Sequence, residues 1–394
     1  MVLKSNNVNP GKFGGVTTRK RPRICMLTGR SYATNAFRCA FYEGQDVLAG
    51  VDDVDIIDLK PKRAYTIRYP LQKHLIWRDF TKKIVSINMA FEPVRLSGEY
   101  DLFIAHLPLM QDLIQLTALR GWRDRCKKAV CWIDEVYSSN IGAYKNWLPA
   151  LKEFDHIAIG LSGTVNDFSE AVKRECHYVP GAVDAIRYSP YPDKPARVID
   201  IYSIGRIWES VHGAFQEFAK REKLFYIYDT FMASDVRVKD YRQHRDMHAN
   251  MAKRSRYYYV APAKMDVPTD TRGQVEIGFR YYEASAAGSI LVGQIPDCGA
   301  FHSTFNWPDA VIPMNQDGSD VAEVLTDLAK EPERCDRISR RNAAEALLRH
   351  DWLYRWKTIY EIAGLDATEW MEGREKELRM MAQRIGGDLI GNAR

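Results

Sequence analysis

No apolar run in these 394 residues approaches the ~20 that a membrane-spanning helix needs, so no such helix is expected. Cysteine is sparse. Seven are scattered at 25, 39, 126, 131, 176, 298 and 335, with no C-x-x-C pair and an odd number, which argues against a structural zinc or a disulfide framework and fits reduced thiols. A large excess of one charge is also missing. The net charge of +5 suits an anionic ligand or a membrane surface, but over this length it is too small to announce nucleic-acid binding, and the aromatic residues do not interleave with a basic stripe. The first residues lack the apolar centre of a signal peptide. With Gly11, Gly14, Gly15 and the cluster Arg19, Lys20, Arg21 and Arg23 they read as a flexible basic tail over 1–22, and a cytoplasmic protein is expected. There is no internal repeat.

What is present describes a soluble globular chain of two domains: 46% hydrophobic and 27% charged residues, over a length too great for one ordinary core. Apolar runs alternate with helical patterns from the start. Arg23-Ile-Cys-Met-Leu-Thr28 reads as a strand, followed by the loop from Gly29 to Asn35 and a helix from Ala36. Further strands are expected over 55–59, 100–106, 128–133, 156–160 and 176–180, which predicts a parallel sheet. Ligands of such sheets bind beyond the carboxyl ends of the strands, the edge to which this reading assigns His106, Asp134 and Glu135. Asp53-x-Asp55 mimics a metal motif but has no second ligand set, and no metal site is expected. His74, Trp77 and Phe80 read as core packing. Pro180-Gly-Ala-Val-Asp184 and Tyr188-Ser-Pro-Tyr-Pro192 have the turn chemistry of a connector.

After the connector the pattern restarts with strands over 198–204, 224–228, 257–260 and 310–312, and helices over 320–328, 337–350, 352–362 and 367–384. A basic helix over 244–256 reads as a solvated face, His244 and His248 included. The most informative stretch runs from Gln274 to Gly293: a loop, a short helix, a turn at Gly288 and the apolar strand Ser-Ile-Leu-Val. Arg280 and Glu283 share a helix face near its N-terminus, where unpaired N–H groups and the helix dipole favour a phosphate. A carboxylate one turn further in can accept the hydroxyls of a ribose.

In this order, four pieces resemble the GT-B glycosyltransferases, specifically the glycosyl transferases group 1 set and its spore-maturation-protein-like members. They are Val179-Pro-Gly-Ala-Val-Asp184 with Tyr188-x-Pro190, Ile204-Gly-Arg-Ile207, Arg280-Tyr-Tyr-Glu-Ala-Ser-Ala-Ala-Gly288, and His350-x-Trp352. The likeness covers roughly residues 175–362. It departs from the retaining family's pattern in two respects: Glu276 and Glu283 have six residues between them instead of seven, and His212-Gly213 stands near the usual Lys-Gly.

The resemblance implies an α/β GT-B fold, two Rossmann-like doubly wound domains facing a cleft, divided as 23–185 for the acceptor and 186–365 for the donor. The helical segment 366–394 would pack back on the N-terminal domain. It implies a glycosyltransferase that moves a sugar from a nucleotide-diphosphate sugar to a polysaccharide, lipid-linked glycan or small molecule, retaining and without a metal or other cofactor. Arg206 and Arg280 would hold the diphosphate, with Lys264 or Arg272 standing in for the missing lysine, and Glu283 would bind the ribose. Glu276 would contact the donor sugar, while Gly29, Gly205 and Tyr281 complete the donor set. His106, Asp134 or Glu135 would touch sugar hydroxyls or, in an inverting enzyme, take the acceptor proton. A nucleotide-sugar epimerase or hydrolase, or a non-catalytic GT-B binding protein, stands as the alternative. Peripheral contact with a membrane is open to the basic tail and the 244–256 helix, and no amphipathic helix with a clear apolar face stands out.

Overall fold

The computed structural model describes residues 22–78, 84–230, 236–387 and 389. The tail expected over 1–22, but for its last residue, and Phe80 lie outside the described residues. The chain forms two units, one from residues 1–34, 45–180 and 355–372, the other from 35–44, 181–354 and 373–394.

The first unit is built on a six-stranded sheet. Its strands are β1 (Ile24–Thr28), β2 (Val54–Asp58), β3 (Tyr100–Leu109), β4 (Cys126–Glu135), β5 (His156–Ile159) and β6 (Cys176–Tyr178), in the order β2-β1-β3-β4-β5-β6. Every pairing is parallel. Parallel strands are covered on both faces, which is why β1 is apolar without alternation and buried throughout. Asp52 is buried here between two partners, accepting from Arg23 Nε at 2.8 Å and from the Tyr360 hydroxyl at 2.6 Å. After β3 the chain makes a run of 3-10 turns, Met110–Ala118.

The second unit has a five-stranded parallel sheet in the order β11-β10-β9-β7-β8. Its strands are β7 (Ile199–Ser203), β8 (Tyr226–Tyr228), β9 (Ser255–Val260), β10 (Ile290–Gly293) and β11 (Ile312–Pro313). The helices Glu209–Glu222, Val321–Lys330 and Pro332–Arg349 supply Val211, Phe215, Leu325 and Ile338 to a core shared with Tyr257, Tyr259 and Val292 of the strands. Both sheets are of the doubly wound α/β kind, as the alternation of strands and helices predicts. All seven cysteines are free. Among the described residues no helix is long and apolar enough to cross a membrane.

Candidate functional site

In the second unit the loops after β7, β9 and β10 leave the same edge of the sheet, and the helix Phe279–Ala286 starts there. Its N-cap is Gly278, which offers no side-chain acceptor, so the first turn keeps N–H groups for a ligand. Arg280 ties this turn to the loop after β7, its Nη1 donating to the carbonyls of Ile204 at 3.0 Å and Arg206 at 2.5 Å. Between those carbonyls Gly205 has φ +76, and its N–H donates to Asp229 Oδ2 at 2.7 Å. A Cβ there would meet nothing nearer than Arg280 Cζ at 3.8 Å, so the backbone conformation, and not crowding, calls for glycine. At the other end of the helix Gly288, at φ +60, makes the turn into β10 that the sequence predicts.

Two loop cations stand beside this helix start. Arg206 pairs with Asp266, and Lys264 Nζ lies 3.2 Å from Asp270 Oδ2. All four side chains are partly exposed, and such pairs contribute only ~0–1 kcal/mol. Arg272 is exposed at the end of the short helix Pro268–Thr271. Glu276 is buried, accepting from Gln274 Nε2 at 2.7 Å, while its backbone carbonyl accepts from the Ala263 N–H at 3.0 Å.

Glu283 sits in a buried charged cluster. Its Oε1 accepts from Arg245 Nη1 at 2.5 Å, and Arg245 also holds Glu43 through Nε at 2.9 Å and Nη2 at 3.2 Å. Burial pushes the Glu283 pKa up, but the Arg245 guanidinium, with His248 and Arg280 nearby, outweighs it and holds the carboxyl below its usual range. For Glu43 burial wins and the pKa is raised in spite of Arg245. His248 lies beside the cluster, Nδ1 at 2.6 Å from the Tyr188 hydroxyl and Nε2 at 3.0 Å from the Tyr258 hydroxyl. Burial drives its pKa down to about 4, so it is neutral at pH 7.

The expectation of a solvated basic helix is therefore corrected at two positions. The helix runs Tyr241–Lys253, and Arg245, His248, Ala249 and Ala252 form its buried stripe. That stripe has helical spacing, and the two alanines on it were the available signal. Glu43 was missed in the same way, at three residues from buried Ala40 and four from buried Val47. Tyr281 is also corrected: its ring is buried among Phe301 and Phe305, and its hydroxyl donates to the Gln294 carbonyl at 2.6 Å, so it packs the unit instead of facing a ligand.

In the first unit Asp134 and Glu135 end β4, and Gly29 follows β1, so these three reach the carboxyl edge of their sheet. Gly160, just past β5, has room for no side chain, because a Cβ would lie 2.7 Å from the Asp134 carbonyl oxygen. His106 does not reach the edge. Strand β3 continues three residues beyond it to Leu109, and the ring is 2% exposed, stacked on Trp132 at 4.2 Å with Trp356 edge-on at 5.4 Å. Burial lowers its pKa to about 3. A role for His106 as a base at a strand end is corrected accordingly.

Residues 210–361 match the family described as glycosyl transferase-like. No curated protein matches the sequence. Among solved structures, the chain is similar to an α-glucosyltransferase in complex with UDP-glucose and DNA containing an abasic site, at 13% identity and a TM-score of 0.51 over 87% of this chain and 100% of that one. It is similar to α-glucosyltransferase in complex with UDP at 12% identity and a TM-score of 0.51, with the same coverage. Anabaena Alr3699/HepE in complex with UDP-glucose aligns at 11% identity and a TM-score of 0.49, again over 87% and 100%. The fold is the GT-B fold expected from the sequence.

Proposed function

We propose that this chain, a GT-B glycosyltransferase of the group 1-like kind, transfers a sugar from a nucleoside-diphosphate sugar held on its second unit. The observation that carries the donor assignment is Arg280 at the uncapped start of the helix Phe279–Ala286, bonded to the loop that presents Gly205 and Arg206. A diphosphate placed there meets the helix N–H groups, Arg280 and Arg206. Lys264 and Arg272 supply further positive charge, and the weak surface pairs with Asp266 and Asp270 give way at little cost. As the glycosidic bond breaks, negative charge grows on the leaving diphosphate, and fixed cations and N–H groups stabilise it without reorganising. This supports a metal-independent reaction.

Glu283, kept ionised by Arg245, is in the state that accepts hydrogen bonds from ribose hydroxyls. Glu276 is assigned to the donor sugar in a retaining reaction, in which the departing phosphate oxygen takes the acceptor proton on the same face. Asp134 and Glu135 are the acceptor-side candidates. Similar structures hold UDP or UDP-glucose, so a uridine nucleotide is the first donor to test. One of them also holds DNA, which keeps nucleic acid beside glycans, lipid-linked sugars and small molecules among the acceptors to try.

Release of UDP from UDP-glucose, measured with and without an acceptor panel, tests the reading. Acceptor-dependent release lost in Arg280→Ala supports transfer. Release without acceptor supports a hydrolase, and nucleotide binding without turnover supports a non-catalytic protein.

A further inference from the structure

Four of the large apolar side chains exposed among the described residues lie between 67 and 87: Ile67 at 69%, Leu71 at 45%, Trp77 at 36% and Ile87 at 50%. Three belong to one helix, Tyr65–Trp77 in the first unit. Its two faces separate cleanly. Tyr65, Tyr69, Gln72 and Ile76, at i, i+4, i+7 and i+11, form the inner face, with Gln72 and Ile76 fully buried and both tyrosine rings against Phe91. Gln72 Nε2 donates to the Ile87 carbonyl at 2.5 Å, which fixes Ile87 beside the helix. Ile67, Leu71 and His74 take the opposite, outward face, while the Trp77 ring at its side packs against Tyr144 at 5.2 Å and buried Trp147 at 6.1 Å.

The outer face therefore carries two exposed apolar side chains, Ile67 and Leu71, although it is turned away from the core. Cations predominate in this stretch: Lys60, Lys62, Arg63, Arg68, Lys73 and Arg78 fall between residues 60 and 78 with no Asp or Glu among them, against Asp79 next in sequence and exposed Glu92, whose N–H donates to the Lys60 carbonyl. Exposed Arg68 lies beside the apolar stripe and exposed Arg78, seven residues after Leu71, continues its line, while half-buried Lys73 sets its ammonium over the inner-face Tyr69 ring at 5.5 Å. A patch of this composition fits a partner that is apolar and anionic together, as the headgroup–acyl boundary of a membrane containing anionic lipid is. The same charge disfavours other occupants. A second copy docked about a two-fold axis would set six cations against six. Residues 1–21 carry Lys4, Lys12, Arg19, Lys20 and Arg21 and no carboxylate, so they are repelled as well.

We infer that the helix Tyr65–Trp77 is a membrane-surface element that seats Ile67 and Leu71 in the boundary of an anionic bilayer, with Arg68 and Arg78 at the headgroups. This surface is distinct from the basic tail and from the Tyr241–Lys253 helix, and it does not depend on the donor assignment. Among the acceptor classes it favours a lipid-linked one.

The test is flotation of the full-length protein with vesicles of phosphatidylcholine alone and of equimolar phosphatidylcholine and phosphatidylglycerol. Binding is expected only to the second kind, weakening as salt is raised. Ile67→Ser with Leu71→Ser should lower it at least about ten-fold, and Arg68→Glu with Arg78→Glu at least about twenty-five-fold, since each cation contributes about five-fold. Both pairs point outward, so unchanged thermal unfolding and unchanged UDP binding serve as controls for the fold and for the donor reading. Three results overturn the inference. The first is no binding to phosphatidylglycerol vesicles; the second is equal binding by Ile67→Ser/Leu71→Ser, including the case where deletion of residues 1–21 alone abolishes it. The third is a concentration-dependent dimer in sedimentation that those two serines dissolve.

Discussion

Arg245 Nη1 lies 2.5 Å from Glu283 Oε1, and both side chains are buried. The same guanidinium bridges to Glu43, so one cation serves two carboxylates. Arg245→Met would leave Glu283 buried without its ion-pair partner and Glu43 with only Arg187, whose Nη1 is 3.6 Å away. Breaking a buried ion pair from one side costs ~3–5 kcal/mol. Glu43→Gln should cost less, ~1–2 kcal/mol, because burial already favours the neutral form of Glu43. Urea denaturation of the two variants checks the order, and an Arg245→Met midpoint equal to the parent's would contradict it.

Arg280 supplies two things at once, a charge and the bonds that fix the loop after β7. Arg280→Lys keeps only the first. We expect nucleoside-diphosphate affinity to fall about ten-fold or more in Arg280→Lys and further in Arg280→Ala, a charge-assisted hydrogen bond contributing ~1.5–3 kcal/mol. Titration calorimetry with UDP measures both. Equal affinity in all three proteins would remove Arg280 from the donor site.

Two buried histidines predict acid sensitivity. His106 and His248 have pKa values lowered to about 3 and about 4 from an ordinary 6.5. Between those values and 6.5 the unfolded chain binds more protons than the folded one. Stability is therefore full above about pH 6.5 and declines as pH falls, by ~2 kcal/mol per histidine at pH 5. His106→Phe should make the slope between pH 6.5 and 5 shallower, read from unfolding midpoints across that window, with the part due to His248 and to His244 and His156, whose pKa values burial also lowers, remaining. An unchanged slope would mean that His106 does not report on folding.

Gly205→Ala is expected to cost ~1–2 kcal/mol, because φ +76 is strained for alanine although the space beside it is open. Thermal unfolding gives the loss, and a variant as stable as the parent would show that the loop relaxes.

These residues also show what could be read from the chain. Nearly every strand is visible as an apolar run, because parallel strands buried on both faces have little polar interruption. The turn at Gly288 and the helix before it follow from Gly and Ala placed between Arg280 and the run Ile-Leu-Val. Polar side chains in the interior are harder. Arg245 and Glu43 look like surface charge until the fold supplies each with the other, and His106 resembles a strand-end ligand because nothing local shows that β3 continues to Leu109. The outward face of Tyr65–Trp77 escaped notice for the converse reason. His74 and Trp77 read as core packing, but His74 is exposed on the outward face and only the Trp77 ring packs, against Tyr144 and Trp147.

The donor site is the central claim, and nucleotide binding tests it most directly. Thermal unfolding is followed with UDP, GDP, TDP, CDP and ADP, with and without EDTA, for the parent and for Arg280→Ala. A ligand that binds only the folded state raises apparent stability with the logarithm of its concentration over its dissociation constant. A shift is expected for one of these diphosphates that survives EDTA and is lost in Arg280→Ala. No shift with any of the five, or a shift that EDTA abolishes, would contradict a metal-independent nucleotide site at Arg280.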